Sequence, residues 1–374
     1  MPNPFHYGAP ATGEQFIGRT TEIQALISRM RSGVNVVVIS PRRYGKTSLL
    51  LRTEEQLAHS RPTAAVVSVN VFLCRDLTTL AGRLVSGVYQ LPGFRWARAR
   101  QGITEFLRHL RVRPVVDLDE AGRPRFTFAG GLAPADADTV IADVFDLLAT
   151  SEGRPAVLIL DEFQAITRHG EHLPFLLKAL SDSHPKVSVV LAGSQHHLMS
   201  KLVVEEGAPL YGMAQRLALG PIPDIEWVPY LLERAVEAGK PMDASAAELI
   251  LALAGPVPND IQHLAFESFE VAGSRIGEAE VHDGMRQAVD HDSGLFAERV
   301  TSLSPGQLRV LVALAAGRPE HIFTAAFARS VGLAAGQSVK KAIDALAEDE
   351  TVVLRDGRWR VGDPFLASWL RQAE

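Results

Sequence analysis

Four short stretches, residues 34–39, 64–71, 156–160 and 187–191, are apolar almost without interruption and rich in β-branched side chains. Strands covered on both faces read this way, because neither face needs polar residues, so the pattern predicts a parallel sheet flanked by helices. Between these stretches the apolar positions shift to helical spacing, which predicts helices over 22–30, 47–57, 77–89, 136–148 and 173–180. Strand and helix in alternation is the α/β arrangement. Residues 216–219, just ahead of a Gly-Pro-Ile-Pro break, supply a candidate fifth strand.

Residues 90–131 interrupt the alternation and read as an insertion between the second and third core strands. A helical segment at 103–110 precedes a hairpin of 115–118 and 125–128 around a turn at 119–122. Arg95, Arg98, Arg100, Arg108, Arg111, Arg113, Arg123 and Arg125 make it the most basic part of the chain. It reads either as a solvated helix and hairpin or as a contact surface for a partner or for phosphate backbones. Residues 223–289 are helical in pattern, with no strand signal. From residue 302 onward, three helices (305–316, 323–331 and 337–348) lead to a hairpin of 351–354 and 359–361 about Asp356-Gly357, the winged-helix pattern. The expected division is a core over 1–222, a helical lid over 223–300 and a winged helix over 301–374.

Composition narrows the function. A chain of 374 residues is too long for one ordinary core, and 47% hydrophobic content lets every part bury one. The net charge of −5 argues against attachment to nucleic acid by bulk electrostatics. Cys74 is the only cysteine, which excludes an intramolecular disulfide and a cysteine-based zinc site. The first residues lack a basic start and an apolar core, and no apolar run approaches a membrane span, so a soluble, cytoplasmic protein is expected.

The chemistry gathers at strand ends. Ser40-Pro41-Arg42-Arg43-Tyr44-Gly45-Lys46-Thr47 lies between an apolar strand and a helical run. It follows the Walker A pattern, in which backbone N–H groups at a helix amino terminus cradle a phosphate. Lys46 is placed to neutralise β/γ oxygens and Thr47 to ligate Mg²⁺. Gly45 suits a backbone conformation closed to other residues. Ser40 departs from the pattern, which has glycine there. The stretch 156–160 ends in Asp161-Glu162, two carboxylates at the carboxyl end of a buried strand, where open α/β sheets bind ligands. Asp161 fits the Mg²⁺ shell and Glu162 a general base acting on water. Ser194, with Gln195 second, closes the neighbouring strand with a polar side chain suited to a γ-phosphate or a water; a plain turn is the competing reading.

Taken in order, Phe16-Ile17-Gly18-Arg19, Pro41 through Thr47 with Ser48-Leu49-Leu50, Leu160-Asp161-Glu162-Phe163-Gln164 and Ala192-Gly193-Ser194 resemble the archaeal-type ATPase family, a STAND-class group within or close to the AAA+ enzymes. Ala208-Pro209-Leu210-Tyr211-Gly212, Gly255-Pro256-Val257-Pro258 and Asp363-Pro364-Phe365-Leu366 extend the resemblance over nearly the whole chain. It implies a P-loop NTPase sheet of strand order 5-1-4-3-2, then a helical lid and a C-terminal winged helix. It further implies that Phe16 and Ile17 lie near adenine, that Ser194 is the first sensor and that Pro258 is the lid proline sensing nucleotide. Read without the resemblance, Phe16 and Ile17 are apolar residues packing before a helix and Pro258 is a loop proline.

Met213 stands where the family usually has arginine, and Arg216 is the nearby substitute. An arginine at the γ-phosphate raises hydrolysis by about 10³ to 10⁵, so turnover is expected to be slow unless Arg216 or a partner supplies that charge. The leading expectation is an ATP-hydrolysing switch whose domains rearrange, or assemble with a protein partner or with themselves, according to nucleotide. A DNA-associated ATPase using the wing and the arginine-rich insertion is the alternative. Against it, residues 301–374 carry nine Lys/Arg and eight Asp/Glu, with no clear basic excess. A non-hydrolytic ATP-binding scaffold is a third reading, and a small-molecule kinase fits the Asp-Glu pair less well.

Overall fold

The computed structural model describes residues 2–91, 106–118, 122, 124–151, 153–194, 196–317 and 321–372. The helical start expected at 103–105, most of the turn at 119–122, Arg95, Arg98, Arg100, Arg123 and Gln195 lie outside the described residues. The chain divides into two compact units, one over Thr12–Gly220 and one over Pro221–Glu374 together with the residues up to Ala11.

The first unit is built on five parallel strands: β1 (Val36–Ile39), β2 (Ala65–Asn70), β5 (Ala156–Asp161), β6 (Val187–Gly193) and β7 (Gln215–Ala218). Their spatial order is β2-β5-β6-β1-β7, which in core-strand numbering is the expected 5-1-4-3-2. Every residue of β1, β5 and β6 is buried, as uniformly apolar strands require, because helices cover both faces. Helices Thr20–Arg31 and Lys46–Ala58 supply Leu26, Met30, Leu49, Leu50 and Leu57 to one core cluster. Helices Leu77–Tyr89, Pro134–Ala149 and Leu173–Ser183 pack on the other face.

Among its described residues the insertion is anchored by a few buried side chains, while strand Val115–Leu118 is largely exposed. Strands β3 (Val115–Leu118) and β4 (Pro124–Thr127) form the expected antiparallel hairpin. Phe126 meets Tyr89 and Phe106, with ring centroids 5.1 to 5.2 Å apart. Edge and tilted aromatic contacts of this kind add about 0.5–1.5 kcal/mol beyond burial. One of its arginines is paired at the surface: Arg111 bonds the buried Asp143 and the exposed Asp146.

The second unit is helical up to a small hairpin. Helices Asp224–Glu237, Ala244–Ala254 and Pro258–Val271 precede the 24-residue helix Glu278–Thr301, which runs unbroken toward the C-terminal part. Pro305–Ala316, Ala325–Ser330 and Gly336–Glu348 are the three expected helices, followed by β8 (Val352–Arg355) and β9 (Arg358–Val361). A further helix, Pro364–Gln372, buries Phe365, Leu366 and Leu370. The Asp363 carboxylate starts it by accepting from the Phe365 and Leu366 N–H groups. The first residues of the chain, expected with the ATPase core, instead dock on helix Pro258–Val271. Phe5 is fully buried edge-on to Phe269, Tyr7 stacks on His263 at 3.8 Å, and Asn3 donates to the Phe266 carbonyl. Among the described residues, no helix is long and apolar enough to cross a membrane.

Candidate nucleotide site

The loop from Ser40 to Thr47 leaves the carboxyl end of β1 and turns directly into helix Lys46–Ala58. Gly45 is the helix N-cap, at φ 85 and ψ 25, a left-handed conformation that costs an L side chain about 1–2 kcal/mol. The first N–H groups of a helix have no partner within it, so this end offers donors and the positive end of the helix dipole to an anion. Ser40 takes the place of the usual glycine without strain, because it is not among the residues with positive φ. Its hydroxyl donates to the Pro41 carbonyl at 3.1 Å. Pro41, Arg42 and Arg43 are exposed, whereas Tyr44, Lys46 and Ser48 are buried.

Lys46 folds back over the loop, its Nζ 3.5 Å from the Ser40 carbonyl oxygen. Thr47 Oγ1 donates to Asp161 Oδ2 at 2.9 Å, so the two residues assigned to one metal ion stand side by side although 114 positions separate them. Burial holds the Asp161 carboxyl above its ordinary range, and the neighbouring Glu162 charge adds to this. The Thr47 and Glu162 hydrogen bonds and Lys46 act the other way. Glu54, from the helix that follows the loop, is raised too, by burial first and then by Asp161, against a hydrogen bond from Ser68. A buried carboxyl beside a hydroxyl gives a small hard cation two oxygen donors, leaving its other positions for water and phosphate, as Mg²⁺ prefers. Among the described residues, no cluster of three His, Cys, Asp or Glu side chains offers a closed protein shell instead.

Glu162 follows in a left-handed conformation (φ 51), its N–H bonded to Asp161 Oδ1 at 2.9 Å. Ser194 Oγ donates to Glu162 Oε2 at 3.1 Å, which brings the end of β6 to the end of β5. Phe16 and Ile17 are half-buried ahead of helix Thr20–Arg31, with Phe16 packed beside the Leu49 and Leu50 cluster. Pro258 is the first residue of helix Pro258–Val271, in the second unit. Arg216 is exposed on the edge strand β7, in register with Val37 rather than with the strand's last residue Ile39. The structure therefore joins Lys46, Thr47, Asp161, Glu162 and Ser194 at the carboxyl ends of β1, β5 and β6 and sets Arg216 lower along the sheet.

Two residues with no role assigned from the sequence also belong to this neighbourhood. Arg19, at φ 64 and 7% exposed, donates to the Tyr44 carbonyl at 3.3 Å and to the Gly220 carbonyl at 2.6 Å, and pairs with Glu22 at 3.0 Å. It clamps the phosphate loop to the end of the chain's first unit. Gln164, buried after β5, donates to Glu162 Oε2. Their signals were an arginine directly before a helix and a glutamine two places after the acidic pair.

The same architecture occurs in known structures. The chain is similar to the Walker-type ATPase PABY2304 of Pyrococcus abyssi, at 18% identity and TM-score 0.68, over 97% of this chain and 99% of that one. It is similar to the ORC2 protein of Aeropyrum pernix, at 17% identity and TM-score 0.58, over 99% and 98%. The ORC1 protein of Aeropyrum pernix, solved in complex with DNA, matches at 16% identity and TM-score 0.50, over 96% and 94%. Residues 294–372 match the family described as a probable winged helix domain. No curated protein matches by sequence. These likenesses show the fold: a P-loop ATPase core on a parallel sheet, followed by a C-terminal winged helix.

Proposed function

We propose that the chain binds ATP with Mg²⁺ and hydrolyses it slowly, and that the nucleotide state sets the arrangement of core, lid and winged helix. The observation that carries this reading is the 2.9 Å bond between Thr47 and Asp161 at a helix amino terminus capped by Gly45. The loop N–H groups from Ser40 to Thr47, the Lys46 ammonium and Ser48 in the first helical turn would hold the phosphates. Thr47 and Asp161 would hold Mg²⁺, which would supply charge neutralisation to the phosphates. Glu162 accepts a proton from the attacking water, and Ser194 keeps that carboxylate in place. Phe16 and Ile17 offer adenine an apolar surface, and Pro258 reports nucleotide to the lid. Arg216 sits on an edge strand short of the strand ends, which favours supply of the missing arginine by a partner and accounts for slow turnover.

We assign the core to the residues up to 222 other than the first eleven, which dock on the second unit, the lid to 223–300 and the winged helix to 301–374, and place the protein in the cytoplasm. ATP-bound and ADP-bound forms differ by the contacts of one phosphate, which are worth the few kcal/mol a two-state bias needs. Glu162→Gln should keep Mg²⁺-ATP binding and lose turnover, which separates hydrolysis from a passive ATP-binding scaffold. Identical tryptic cleavage and scattering with ATP, ADP and no nucleotide would remove the switch. A second reading, DNA contact, draws on Lys340 and Lys341, exposed on helix Gly336–Glu348, and on Arg358 of the wing. Affinity for a duplex that stays flat between low and high salt, or no binding at low salt, rejects it.

A further inference from the structure

Gln164 touches both the Glu162 carboxylate and the Ser194 hydroxyl, which also bond each other directly. It lies on the turn Phe163–His169 directly after β5 and is 6% exposed. Its Nε2 donates to Glu162 Oε2 at 2.5 Å and lies 3.5 Å from Ser194 Oγ, while Ser194 Oγ donates to the same Oε2. The nitrogen must face the carboxylate, because the flipped amide sets two acceptors against each other. That orientation leaves Gln164 Oε1 buried with no hydrogen-bond partner among the described residues.

The oxygen is packed against Gly193. A Cβ at Gly193 would lie 2.6 Å from Gln164 Oε1 and 2.5 Å from Met199 Sδ, closer than real contacts allow. The glycine is therefore what makes room for the glutamine. A buried carbonyl without a partner costs stability, and leucine fills the same volume without that cost. A polar side chain kept at such a position is explained by what its other end does. Two donors on Oε2 fix the plane of the carboxylate, so proton acceptance falls to Oε1.

We infer that Gln164 is a positioning residue for hydrolysis, holding Glu162 in register with Ser194, and that Gly193 leaves the space in which it sits. The inference rests on the hydrolytic reading of the site given above. Gln164 touches neither the water nor the phosphates; it acts through Glu162.

The test uses the full-length chain as wild type, Gln164→Leu and Gly193→Ala, with Mg²⁺-ATP affinity measured by calorimetry and kcat and KM by steady-state hydrolysis. For both variants the expected result is a kcat reduced at least about tenfold, with KM and affinity within about threefold of wild type. Nucleotide-free thermal melts of Gln164→Leu, Glu162→Gln and the double variant give a readout independent of turnover, in which the two shifts are expected not to add. If Gly193→Ala does not fold, Gln164→Leu carries the comparison. Unchanged kcat, a kcat loss matched by an equal loss of affinity, or additive melting shifts would each overturn the inference. A wild type that binds but never hydrolyses overturns the hydrolytic reading instead, while the melts still decide whether Gln164 and Glu162 are coupled.

Discussion

The carboxyl ends of β5 and β6 and the surface of the winged helix both carry polar side chains, and they hold them in opposite ways. At the strand ends Lys46, Asp161, Gln164 and Ser194 are all buried and bound to one another or to the loop. On the winged helix Lys340 and Lys341 are exposed, close in sequence to Asp344 and Glu348. Taking a charge out of water costs several kcal/mol even after relaxation. A fold that keeps such a group at a strand end keeps it for what binds there. Surface charge costs almost nothing and so says little about function.

The largest expected effect is at the buried lysine. Lys46→Ala should weaken Mg²⁺-ATP binding at least about 100-fold, or about 2.7 kcal/mol, while leaving the nucleotide-free melt near wild type. An affinity within tenfold by calorimetry would show that the buried charge is not there for phosphate.

Next comes the buried carboxylate, where function and stability should part. The Asp161 carboxyl is held above its ordinary range, so the folded chain binds a proton more readily than the unfolded one. Its contribution to stability is greatest below the ordinary carboxylate range and declines as pH rises through the raised value. Asp161→Asn removes this penalty and keeps an acceptor for Thr47. At neutral pH it should raise the nucleotide-free Tm, by about 2–4 °C for each kcal/mol recovered. It should also flatten the acid-side pH dependence of the melt and abolish the Mg²⁺ dependence of ATP binding. A lower Tm at neutral pH would contradict the burial argument.

Arg19→Met should be milder on binding and firmly destabilising. Losing charged hydrogen bonds to the Tyr44 and Gly220 carbonyls costs about 1.5–3 kcal/mol, read in the denaturation midpoint. The smallest effect is expected from Lys340→Ala with Lys341→Ala, which should leave ATP turnover and stability within about 0.5 kcal/mol of wild type. Only the salt-dependent part of any duplex affinity should change. A large stability loss would show that these lysines are structural.

Much of this was legible in the chain because the proposed phosphate site is local. The residues from Ser40 to Thr47 are contiguous, and a strand ending in Asp161-Glu162 declares its own polarity. Apolar strands and helical spacing likewise located the sheet, its order through the resemblance, and the β8–β9 hairpin. What escaped depends on residues far apart in sequence. Arg19 meets a carbonyl 201 positions away, and Gln164 is defined by a hydroxyl 30 positions away on another strand. Phe5 finds Phe269 far along the chain within the same unit, and no periodicity announces that. The helix Pro364–Gln372 was readable in principle, from Asp363-Pro364 as a cap and first turn, but its nine residues are short for a periodic signal. Arg111 looked like part of a basic surface because its partners Asp143 and Asp146 belong to a helix beyond the insertion.

The most direct test of the central claim is a calorimetric titration of the folded, full-length chain with ATP, carried out with and without Mg²⁺. Saturable one-to-one binding that requires Mg²⁺ and disappears in Lys46→Ala is the predicted result. No heat of binding under either condition, or an affinity indifferent to Mg²⁺ and to Lys46, would contradict it.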